Sequence, residues 1–142
     1  MGNYSPEDFQ RRTEAARQFL QAKARTIIRV KGVKHFKDSF RNEGFTDETL
    51  EKWPDISEAR KKQKRRRNGS LPGILYDTGE LMRSVTGEED SEGVVFSSDK
   101  AYAQRHNEGL DGMPQRQFMG ESKALIDGII KDFEKALDRI FQ

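Results

Sequence analysis

Asp77-Thr78-Gly79-Glu80-Leu81, Tyr102-Ala103-Gln104-Arg105-His106-Asn107-Glu108-Gly109 and Met113-Pro114-Gln115-Arg116-Gln117-Phe118-Met119-Gly120 are three phrases of one stretch, and their reading decides the fold. Asp77 with Glu80 three residues later is a capping pair, which predicts a short helix beginning there. Ser84-Val85-Thr86 and Gly93-Val94-Val95-Phe96-Ser97 flank an acidic, glycine-containing turn and read as a β-hairpin. Asp99 is placed to cap a second short helix, which Gly109 would end. Arg116 to Met119 then reads as a return to the sheet as a strand.

Outward from this stretch, the C-terminal side is the clearest. Leu125, Ile126, Ile129, Ile130, Phe133, Leu137, Ile140 and Phe141 form a helical stripe from about Ser122 onward, broad enough to pack on a sheet. Gly128 lowers helix propensity locally by about 1 kcal/mol without breaking that pattern. On the N-terminal side, Ser5-Pro6-Glu7-Asp8 is a helix opening, and Phe9, Ala16, Leu20, Ala24 and Ile27 continue at helical spacing. That predicts one helix from about Pro6 to Lys31, stopped near Gly32. Residues 33–75 lack a sustained period; Asp47 to Trp53 suggests a turn of helix, and Phe36, Phe40, Phe45 and Trp53 would pin a long, partly irregular excursion to the core. The prediction is an α+β fold: one domain over residues 1–142, with a small, mostly antiparallel sheet packed by long N- and C-terminal helices.

Composition narrows the function classes. Apolar residues make up 33% and charged residues 35%, so little apolar surface is spare, and partner subunits are expected to supply part of the stability. No stretch approaches the ~18 apolar residues of a membrane span. The N-terminus lacks the basic-then-apolar pattern of a secretory signal, which predicts a protein soluble and cytosolic at synthesis. The absence of cysteine excludes disulfides and thiolate metal sites. The net charge of +2 conceals one segment: Arg60, Lys61, Lys62, Lys64, Arg65, Arg66 and Arg67 are seven cations in eight residues, and removing them leaves −5. This run is expected as a basic loop, 60–67, contacting DNA or an acidic partner, or merely solvated. It holds no aromatic to stack on unpaired bases.

His106, near Glu108 and Asp111, is the best candidate for chemistry. A metal would need a second histidine at helical spacing, and His35 lies far away in sequence. No nucleophile is marked beside His106, so it is expected to hydrogen-bond near a helix end, where the dipole favours a cation. Thr78-Gly79 lacks the further glycines and the lysine of a phosphate loop. No catalytic, cofactor-binding or metal-ligating residue is expected, and no small-molecule substrate.

The three phrases, in this order, resemble the phage virion morphogenesis family, which includes tail-completion proteins of Mu-like and P2-like phages. The resemblance runs from about Phe36 to Ser122. It rests on Leu75, Thr78-Gly79-Glu80-Leu81 and Ser84-Val85, then Tyr102, Ala103, His106 and Gly109, then Pro114, Arg116, Phe118 and Gly120. Gln117 stands where the family usually has proline, and Met119 where it has leucine. The resemblance implies a non-enzymatic structural protein at the head–tail junction or tail terminus, assembled in the bacterial host cytoplasm as a homo-oligomeric ring, a hexamer among the expected forms. It implies other head–tail or tail proteins as partners and no cofactor. Asp77 and Thr78 are expected to open a helix and Gly79 to let backbone segments approach. Leu81, Val85, Tyr102 and Phe118 would anchor the core, and Arg116 would pair with an acid. The alternative is a small nucleic-acid-binding module using residues 60–67.

Overall fold

The computed structural model describes residues 4–69, 73–75 and 78–142. Ser5 Oγ accepts a hydrogen bond from the Asp8 N–H at 3.0 Å and Pro6 occupies the first turn, which starts α1, Pro6–Ala22. The helix does not run on to Lys31. It breaks at Lys23, and α2 spans Ala24–Asn42. Neither proline nor glycine marks the break, so the apolar period crosses it undisturbed. Gly32 is not the stop either. It lies inside α2 under an aromatic ring: a Cβ there would sit 2.2 Å from Cζ of Phe96. The helix ends instead at Glu43, which takes the left-handed conformation (φ 51°) and returns its N–H to the Ser39 carbonyl.

Residues 33–75 carry more regular structure than their periodicity suggests. The first ten complete α2; β1 (Gly44–Thr46) and β2 (Leu50–Lys52) then pair antiparallel, with Phe45 opposite Glu51. Asp47 therefore does not open a turn of helix. Its carboxylate accepts from the Lys123 N–H at 2.8 Å and its carbonyl from the Ala124 N–H at 2.9 Å, so it caps a helix distant in sequence. Residues 60–67, expected as a loop, lie within α3, Glu58–Asn68. Lysine, arginine and glutamine are good helix formers, Ser57 Oγ caps through the Arg60 N–H, and Gly69 (φ 75°) closes the end.

Helix α4 (Glu80–Ser84) leads into a second antiparallel hairpin, β3 (Thr86–Glu89) with β4 (Val94–Ser97), in the expected place. Asp90 Oδ1 accepts from the N–H groups of Glu92 and Gly93, each at 2.8 Å, and so shapes its turn. Helix α5, Ala103–Glu108, starts from Tyr102 without a side-chain cap, so Asp99 does not perform the expected role. Arg116 to Met119 is irregular, with a bend at Met119, and joins neither sheet. Helix α6, Lys123–Phe141, begins at Ser122 as its spacing predicts.

The α+β class thus stands, with six helices and two small antiparallel hairpins among the described residues. Helix α2 is the spine: β3 and β4 lie on it, β1 meets it, and α6 runs along it and along α1. Phe36, Phe40, Phe45, Trp53, Ile74, Leu81, Val85, Ala103 and Phe118 make the core, with Phe118 fully enclosed. Tyr102 is not among them; it is 40% exposed.

Helix α6 is fastened at both ends by side chains from elsewhere. Buried Ser122 Oγ accepts from the Leu125 N–H at 3.1 Å and donates to the Thr46 carbonyl at 2.6 Å. His35 Nε2 lies 2.9 Å from that hydroxyl and 3.0 Å from the same carbonyl, which ties α2, β1 and α6 together. At the far end Arg12 donates to the carbonyls of Ile140 (2.7 Å) and Gln142, a cation where the helix dipole favours one.

Candidate functional site

Six of the motif residues meet at one cleft of about 470 Å³, walled on one side by α3 and on the other by the turn before α4, by α5 and by the segment after it. Thr78, Gly79, Leu81, Tyr102, His106 and Arg116 line it, facing Arg60, Lys64 and Arg67. Residues some forty positions apart in the chain are brought together here.

Each phrase reaches its place through local chemistry. Gly79 takes φ 81°, a conformation glycine adopts without steric cost, and is the residue from which α4 starts. The Glu80 N–H approaches Thr78 Oγ1 at 3.4 Å, and Arg83 donates to the Thr78 carbonyl at 3.0 Å. The expected cap at Asp77 lies outside the described residues. Ser84 Oγ donates to the Leu81 carbonyl and lies 2.6 Å from Ser98 Oγ, which links the end of α4 to the chain leaving β4.

Gly109 ends α5 with φ 69° and donates to the Arg105 carbonyl. The return is tight, since a Cβ on it would lie 2.9 Å from the backbone nitrogen of Gln115. This turns the chain back so that Arg116 N–H donates to the His106 carbonyl at 2.8 Å.

Pro114 lies exposed on the way in and Gly120 exposed on the way out of a segment that is held without a strand partner. Asn107 Oδ1 accepts from both the Phe118 N–H (2.9 Å) and the Met119 N–H (3.0 Å). The indole of Trp53 donates to the Gln117 carbonyl at 2.8 Å, and Ser39 Oγ to the Phe118 carbonyl at 3.3 Å. Side chains satisfy the groups that a neighbouring strand would have paired, which is why this stretch does not enter a sheet. Gln117, in the position where proline was expected, donates its side-chain amide to the Met119 carbonyl at 3.1 Å.

Arg116 is only 6% exposed. Its Nε donates to the Pro54 carbonyl at 2.9 Å and its Nη2 to the Asp55 carbonyl at 3.0 Å, so it clamps the chain between β2 and α3. The expected pairing with an acid takes a looser form. Burial disfavours the guanidinium charge, and the nearby Asp55 carboxylate offsets part of that cost. Asp55 itself is held below the ordinary aspartate range, first by a hydrogen bond from Lys61 and then by the Ile56 N–H.

His106 is not the helix-end cation its position suggested. Burial, helped by the charge of Arg116, pushes its pKa below the ordinary value, which favours the neutral ring. Its Nδ1 is buried and meets no hydrogen-bond partner among the described residues, while its ring stands edge-on to Tyr102 at 6.1 Å.

The basic run divides around its helix. Lys64 is 3% exposed, and its ammonium donates to the carbonyls of Gly73 (3.0 Å) and Ile74 (3.1 Å). Lys61 bridges Asp55 at 2.7 Å and Glu58 at 3.3 Å. Arg60 and Arg67 line the cleft with Lys64. Lys62, Arg65 and Arg66 are exposed.

Sequence reasoning missed Asn107, Ser39 and the burial of Lys64. Asn107 lies inside the second phrase, and an amide one residue past the histidine is its only signal. Among the described residues no cluster of three or more His, Asp or Glu is placed to hold a metal ion, and no helix is long and apolar enough to cross a membrane.

The site thus belongs to a small α+β protein whose polar motif residues clamp backbone carbonyls and fasten irregular chain. The model of the phage virion morphogenesis family matches residues 33–138, and the chain belongs to that family. No curated protein and no solved structure matches it.

Proposed function

We propose that this chain is a non-enzymatic structural component that completes a phage tail or joins head to tail, acting as a homo-oligomeric ring. In this reading a single domain serves as the ring subunit, is assembled in the host cytoplasm and remains in the virion. Membership of a virion morphogenesis family is the observation that carries the reading. The geometry supports it, because the motif residues are engaged in holding the fold and leave its outer faces for contacts. Ile126 and Ile130, one turn apart on α6, are 51% and 47% exposed, an apolar pair suited to a subunit boundary.

Quantitative mass spectrometry of purified particles tests the proposal. A small, fixed copy number per virion is expected, consistent with one ring. Hundreds of copies would assign the chain to a tube or shell and overturn it. Particles grown without the protein should yield heads and tails that fail to join, or tails that fail to terminate.

A further inference from the structure

We propose that α3 offers Lys62, Arg65 and Arg66 as a docking face for the phosphate backbone of duplex DNA, while its opposite face serves only to hold the helix in place. At about 100° per residue, Arg60, Lys64 and Arg67 fall within about 60° of one another, and Lys62, Arg65 and Arg66 occupy an arc of about 100° on the opposite side. The first set lines the cleft, with Lys64 buried against two carbonyls. The second is exposed, as is Arg67 at the end of the first. Lys61, at the boundary, is engaged by Asp55 and by Glu58, the one acid in the first turn of α3. A continuous run of like charge is thereby converted into a fixed helix with three cations facing outward.

The composition of that face selects the partner. Protein interfaces carry an apolar or aromatic centre. The outward arc holds none: its three cations share it only with Glu58, which is paired with Lys61, and Ala59 lies at its edge. Stacking on unpaired bases would need an aromatic, and α3 contains none. Phosphates need only cations on a rigid support, and the major groove, about 12 Å wide, admits a helix. Recognition is sequence-independent, since cations spent on phosphates position the helix without reading base edges.

The inference needs neither the ring nor the particle role, so the copy-number test and the following one fail separately. Binding of the intact chain to a labelled random-sequence duplex of about 20 base pairs is measured by fluorescence anisotropy across a salt series. Three neutralised phosphates predict a log–log slope of about −2.7, an affinity loss of about 40-fold between roughly 50 and 200 mM salt. The variant K62Q/R65Q/R66Q should lose most of that slope while keeping its helix content and thermal midpoint. The charge-preserving K62R/R65K/R66K should retain it. The proposal is overturned if the wild type shows no salt-dependent binding, or if the glutamine variant keeps the slope. Tighter binding to a single strand of equal length, or equal competition by polyglutamate, would overturn it as well.

Discussion

Asn107 accepts two backbone N–H groups with one side-chain oxygen, and the segment bearing Phe118 depends on it. Removing an acceptor strands both donors, at about 1–3 kcal/mol each where water cannot replace it. Asn107→Ala should therefore lower stability by about 2 kcal/mol or more, measured by urea unfolding. Asn107→Asp keeps the acceptor and should lose clearly less. Equal losses would show that the oxygen is not what holds the segment.

His106 yields a pH prediction. Its folded pKa lies below the ordinary 6.5, so the unfolded chain binds more protons in the interval beneath that value. The stability it contributes is present above about pH 6.5 and is lost as pH falls toward the folded pKa. His106→Gln should flatten the stability profile just below pH 6.5. A wild-type profile with the same slope as the variant in that interval would count against the assignment.

At the scale of elements, two helical glycines face opposite fates. Gly32 in α2 supports Phe96, whose ring also meets Phe36 edge-on at 5.1 Å and would lie 3.1 Å from a Cβ on Gly87. Gly32→Ala forces that wedged ring to move and should cost about 1–3 kcal/mol. Gly128 in α6 has only the Lys31 ammonium near, and a Cβ on it would meet that group at 3.6 Å, an ordinary contact. Gly128→Ala should gain up to about 1 kcal/mol through helix propensity. Thermal unfolding of the two variants should move in opposite directions; shifts of the same sign would contradict the packing described. Helix α3 belongs to this scale too. Its cations were legible as a charge run, but their division was not, because burial of Lys64 depends on where residues 73 and 74 place their carbonyls.

For the whole molecule, the apolar surface left on α6 distinguishes a subunit boundary from a core. Ile126→Asp with Ile130→Asp should leave the thermal midpoint nearly unchanged, since both positions are half exposed. The same pair should abolish incorporation into particles, measured by mass spectrometry of purified virions. A large fall in the midpoint, as Phe118→Ala should give by opening a fully enclosed site, would place the two isoleucines in the core instead.

The α+β class, the hairpin from Thr86 to Ser97, the end of α5 at Gly109 and the start of α6 at Ser122 were determined by the sequence itself. Each rests on local chemistry, a cap, a turn or an apolar period, that acts within a few residues. The family, too, was legible in three short phrases. The break at Lys23, the hairpin at Gly44–Lys52, the irregular course of Arg116–Met119 and the neutral His106 were decided only by tertiary structure. In these places the partner lies far along the chain: Asp47 caps α6, Trp53 holds Gln117, and Phe96 occupies the space over Gly32. A group's hydrogen bonds and desolvation follow from which distant residue fills the space beside it, and periodicity along the chain does not carry that information.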